Sequence, residues 1–74
     1  MNNIEVKNGI LFVDGIKVSL KKGEVDEELL YGTVGNESII IRRGTFYRGN
    51  GVMNAKFIGV ISYDSFLELK ANAK

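Results

Sequence analysis

Histidine and cysteine, the commonest general base and the readiest nucleophile, are both absent from this chain of 74 residues. Four serines, nine carboxylates and ten bases remain to do chemistry. The carboxylates gather once, as Glu24, Asp26, Glu27 and Glu28. Catalysis by a carboxylate pair requires two groups held in environments that push their pKa values apart. Side chains adjacent in one acidic run share an environment, so the run is expected to be a solvated loop. Glu24, Asp26 and Glu28 alternate in a way that offers oxygens to calcium or magnesium, but the glycine and closing glutamate of a calcium-binding loop are missing. Gly49-Asn50-Gly51 lacks the lysine and hydroxyl residue of a phosphate-binding loop. The expectation is a protein that is not an enzyme and takes no metal or cofactor.

The charge distribution is more informative than the net charge of +1, which by itself gives no general attraction to nucleic acid or membrane. Residues 24–28 hold four acids and no base, whereas residues 41–56 hold Arg42, Arg43, Arg48 and Lys56 and no acid. Phe46 and Tyr47 lie among those arginines. Rings and guanidinium groups together suit either a protein interface, where tyrosine and arginine are common anchors, or a nucleic-acid surface, where rings stack on bases and cations hold phosphates. Arg42, Arg43, Phe46, Tyr47, Arg48 and Lys56 are therefore the first candidate surface, and Glu24, Asp26, Glu27 and Glu28 the second. Strand alternation limits the first: adjacent Arg42 and Arg43 point to opposite faces unless a bulge intervenes, and one of Phe46 and Tyr47 belongs to the core.

The elements that must position these residues are strands. Nine glycines and no prolines punctuate a sequence rich in valine, isoleucine, phenylalanine and tyrosine. Asn8-Gly9 and Asp14-Gly15 are hairpin dipeptides, and they divide the first twenty residues into a three-strand meander in which Ile16, Val18 and Leu20 should face the core. The acidic loop leads into a strand at 29–34 in preference to a helical turn capped by Asp26. Gly35-Asn36 then turns into the β-branched run at 38–42. After Gly44 comes Thr45-Phe46-Tyr47-Arg48, and a long apolar run from Val52 to Tyr63 suggests a central strand with Phe57 in the core. The segments Ile4–Phe12 and Ile39–Tyr47 share apolar, basic and glycine positions, as two hairpins built by the same local rules would. From Asp64 onward helix formers replace β-branched residues. Ser65 with Glu68 fits a capping box, Asp64 being a competing cap, and Phe66, Leu69 and Ala73 recur at helical spacing.

Residues 1–74 are thus expected to form a single mainly β domain: a meander of five to seven short strands, curled into an SH3-like or OB-like open barrel, with a short C-terminal helix. With no disulfide or zinc staple for so small a chain, self-association as a homo-oligomer is expected. Neither a secretory signal nor a membrane-length apolar run is present, so the expected compartment is the cytoplasm. The expected function is a non-enzymatic protein-binding or assembly module, such as a small inhibitor or accessory subunit. The alternative is a small nucleic-acid-binding barrel that uses residues 42–56.

Overall fold

The computed structural model describes residues 3–74. Eight strands run in chain order as β1 (Ile4–Lys7), β2 (Ile10–Val13), β3 (Ile16–Val18), β4 (Lys21–Lys22), β5 (Leu29–Val34), β6 (Glu37–Arg42), β7 (Thr45–Gly49) and β8 (Lys56–Val60), followed by helix α1 (Tyr63–Asn72). Every pairing is between sequence neighbours and antiparallel, giving a three-stranded sheet β1-β2-β3 and a five-stranded sheet β4-β5-β6-β7-β8. The chain passes from one sheet to the other through Ser19-Leu20, and the two sheets do not close into a barrel. The strand count exceeds the expected five to seven because Lys21-Lys22, which should have ended the meander, opens the second sheet by pairing with Tyr31 and Leu30.

Turn chemistry sets the register. Asn8-Gly9 (φ 53°, 76°) and Asp14-Gly15 (φ 53°, 79°) each connect two strands with both central residues left-handed, the geometry whose twist matches a hairpin. Arg43-Gly44 does the same between β6 and β7 (φ 53°, 99°), so the hairpins at 4–13 and 37–49 share one turn geometry.

The inner faces of the sheets enclose a core of Leu11, Val13, Val18, Leu20, Leu30, Val34, Ile39, Ile41 and Phe46, closed at one end by Phe66 and Leu69 of α1. Ile16, expected inside, is half exposed at the start of β3. Gly32 allows the sheets to approach: a Cβ there would lie 2.6 Å from Val18 Cγ1 and 2.9 Å from the Ser19 carbonyl oxygen. The helix is present where helix formers begin, but its cap is Ser62, three residues before the expected Ser65; Ser62 Oγ accepts the Ser65 N–H at 3.1 Å. Beyond the helix, Lys74 exchanges backbone hydrogen bonds with Leu20 and Lys22.

The largest departure concerns residues 52–63. In place of one long central strand there is a 3₁₀ turn at Val52–Asn54, an edge strand β8 and the start of α1. Gly49 admits the 3₁₀ turn, because Asn54 and Ala55 pass where a side chain would stand. A bulge follows: Tyr47 pairs with Phe57 while Phe46 pairs with Gly59, leaving Ile58 unpaired between them. Ile58 packs on the core and Phe57, expected inside, is 62% exposed.

Candidate partner-binding surface

Pairing registers assign the outward face of the five-stranded sheet. Lys21 stands opposite Tyr31, Tyr31 opposite Ile40, Ile40 opposite Tyr47 and Tyr47 opposite Phe57, forming one row across all five strands. The neighbouring row is Leu29, Arg42, Thr45 and Val60. Because strand side chains alternate, the residues between these rows, Leu30, Ile41 and Phe46, fill the core. Ile40 is buried yet does not join the core cluster; Tyr31 and Tyr47 flank it on the outer face. The Tyr47 and Phe57 rings meet edge to face, with centroids 6.5 Å apart and planes at 75°. Phe57 and Val60 remain mostly exposed, and Tyr31 is about one-third exposed.

Both charged residues in these two rows are cations, Lys21 and Arg42, and neither row carries a carboxylate. The outward face of the three-stranded sheet differs: Glu5, Phe12 and Lys17 share a row, Lys7 pairs with Glu5 at 3.5 Å, and the Lys7 ammonium lies 6.0 Å from the Phe12 ring centre. That face is mixed in charge and its ring is half-buried beside Lys7, as on an ordinary solvated surface.

The candidate residues are thereby separated. Arg42 and Tyr47 lie on the aromatic face. Phe46 is the member of its pair that enters the core, with no exposed surface. Lys56 is exposed at the β8 edge and pairs with Arg48, so it faces away from the row that holds Phe57. Arg43 occupies the β6–β7 turn, where its Nε lies 3.9 Å from Glu28 Oε2.

Arg48 points the other way and joins the two sheets. Its Nη1 donates to Asp14 Oδ2 and its Nε to Glu37 Oε1, both at 2.8 Å, linking the β2–β3 turn to β6 and β7. The Asn3 N–H, donating to Asp14 Oδ1 at 2.9 Å, and then the Arg48 guanidinium hold the Asp14 carboxyl below its ordinary pKa. Asp14, foremost, and Glu37 raise the pKa of Arg48, against the opposing effect of burial. Arg42, Arg43 and Arg48 therefore do not converge on one patch.

The acidic residues also divide. Glu24 and Glu27 are exposed, Asp26 Oδ1 accepts the Glu28 N–H at 2.9 Å, and Glu28 lies between Arg43 and Lys70, 3.7 Å from the latter. Among the described residues, no three acidic side chains converge as a metal site, and no helix is long and apolar enough to cross a membrane.

The sequence does not single out Tyr31, Ile40, Val60 and Lys21, and it assigns Phe57 to the core. The signal for Tyr31 and Ile40 was available, since two-residue turns at Gly35-Asn36 and Arg43-Gly44 place Tyr31, Ile40 and Tyr47 in one row. Phe57 required knowledge of the bulge. Comparison with protein-family models, with curated proteins and with solved structures yields no match.

Proposed function

We propose that this chain is a non-enzymatic protein-binding module, of the kind that serves as a small inhibitor or accessory subunit, and that it binds through the outward face of its five-stranded sheet. The observation that carries this reading is the row Tyr31, Ile40, Tyr47 and Phe57, an apolar and aromatic band that, like the adjoining row of Leu29, Arg42, Thr45 and Val60, carries no carboxylate. Contiguous exposed apolar patches on small domains mark interaction sites, and tyrosine, with a neighbouring arginine such as Arg42, is the residue type that anchors protein interfaces. The SH3-like or OB-like barrels expected from the sequence host many unrelated functions, so shape adds nothing to the argument.

Ring geometry favours protein over nucleic acid. Two bases stacking in succession require platforms presented face up, whereas Tyr47 and Phe57 stand at 75° to each other. Two copies meeting face to face would bring the Lys21 and Arg42 of both into one interface with no carboxylate in these rows to pair them, so the face suits a different partner better than a second copy.

The test is affinity chromatography from nuclease-treated lysate, comparing wild type with a Tyr47→Ala, Phe57→Ala double variant whose fold is verified by circular dichroism. The reading requires a protein retained by wild type and lost with the variant. Equal retention by both would place the binding surface elsewhere, and loss of the retained species on nuclease treatment would assign the face to nucleic acid.

A further inference from the structure

Resting on that reading, the charge pattern of the face specifies its occupant further. Among the described residues, the ion pairs engage Lys7, Arg43, Arg48 and Lys70 with Glu5, Glu28, Asp14 and Glu37. Lys21 and Arg42, like Lys17, Lys22, Lys56 and Lys74 elsewhere, take part in none of them. Lys21 and Arg42 border the aromatic band: Lys21 ends the row at β4, and Arg42 lies two residues along β6 from Ile40, whereas Lys56 pairs with Arg48 on the opposite face. The acids outside ion pairs lie elsewhere, Glu24, Asp26 and Glu27 in the β4–β5 loop and Asp64 and Glu68 on α1.

We infer that the occupant of this face is an acidic, apolar protein segment, one that lays aliphatic or aromatic side chains on the Tyr31–Phe57 band and sets its own carboxylates against Lys21 and Arg42. Two cations with no acid between them favour a negative partner and disfavour a basic one, since like charges brought together at an interface cost affinity while opposite charges steer association. Strand spacing gives the scale. Lys21 and Arg42 are two strands and two residues apart, so their Cα atoms lie roughly 12 Å from each other. An extended segment covers that distance in three or four residues, so two carboxylates at that spacing with apolar side chains between them match the face. The apolar band supplies the burial and the cations choose among apolar partners.

The experiment selects binders from a random dodecapeptide display library, once with wild type and once with a folded Lys21→Glu, Arg42→Glu variant. Wild type is expected to enrich peptides in which Asp and Glu outnumber Lys and Arg and flank apolar residues. Those peptides should bind the charge-reversed variant at least about tenfold more weakly, and wild type itself more weakly at about 0.5 M salt. Neutral or basic winners, acidic winners that bind both proteins equally, or no enrichment at all would overturn the inference. Neutral winners that are still weakened by Phe57→Ala would leave the protein-binding face standing and remove only its preference for acid. Winners indifferent to both Tyr47→Ala and Phe57→Ala would remove the face itself. A parallel arm measures oligothymidylate: micromolar binding that is lost in the charge-reversed variant would make the occupant a polyanionic strand and overturn the inference.

Discussion

Phe46 and Phe57 belong to adjoining strands, and their truncations should have sharply different consequences. Phe46 has no exposed surface and lies between Ile41 and Gly59 in the pairing of the five-stranded sheet. Removing a buried phenyl ring costs about 3–5 kcal/mol through lost burial and the cavity left behind. A domain of this length holds roughly 4–11 kcal/mol in total, so Phe46→Ala should leave little of the folded state. Phe57 is 62% exposed, so little more than a third of a full burial worth about 1.5–3 kcal/mol is at stake. Its edge contact with Tyr47 adds a fraction of the about 0.5–1.5 kcal/mol that aromatic pairs contribute. Phe57→Ala should therefore cost about 1 kcal/mol. Urea melts followed by circular dichroism measure both, with an unchanged slope for Phe57→Ala as the check that the denatured state is unaffected. A loss of about 3 kcal/mol or more for Phe57→Ala would refute the bulge at Ile58 and return Phe57 to the core.

Three further outcomes follow from the packing and the turns. Gly32→Ala should destabilise by about 1–3 kcal/mol, because the added methyl meets Val18 and the Ser19 carbonyl at the contact between sheets; a melt unchanged from wild type would mean that the sheets are farther apart. Arg48→Met should cost about 1–2 kcal/mol, the lost charge-assisted bonds being discounted because Asp14 and Glu37 regain water. The Asp14 carboxyl titrates lower in the folded state, so its stabilisation is complete above the ordinary aspartate pKa of about 4 and is lost as pH falls through the native value. Stability of wild type should thus fall more steeply below pH 4 than that of Arg48→Met, and parallel acid profiles would contradict the clasp. Arg43 holds a left-handed conformation better suited to asparagine, and its contact with the buried Glu28 Oε2 is long while Arg43 itself is mostly exposed. Arg43→Asn should therefore stabilise by about 0.5–1 kcal/mol, and a lower melting temperature would show that the Glu28 contact outweighs the backbone strain.

The parts of the fold legible in the sequence were those specified by local chemistry. Asn8-Gly9 and Asp14-Gly15 announced their hairpins, the alternation around Val18 and Leu20 set an inward face, and helix formers with Phe66 and Leu69 placed α1. Residues 52–63 were misleading because an apolar run does not reveal whether it is covered on both faces. Here Gly49 admits a 3₁₀ turn and the bulge rotates Phe57 outward, both being consequences of neighbours brought together only by folding. The candidate site was legible by half. Arg42 and Tyr47 were found, whereas Arg48 was grouped with them because sequence spacing cannot show that Asp14, 34 residues away, lies within 2.8 Å of it. Reversing the charge of Arg48 along with Arg42 and Arg43 would disturb the fold together with any binding, so Lys21 and Arg42 are the informative pair.

The central claim is that the outward face of the five-stranded sheet meets a protein partner. A photo-crosslinking residue at position 57, on that face, and another at position 17, on the outward face of the three-stranded sheet, test it directly in cells that make the protein. A discrete protein adduct, resistant to nuclease, is expected from position 57 and not from position 17. Adducts of equal yield from both positions, or an adduct from position 17 alone, would contradict it.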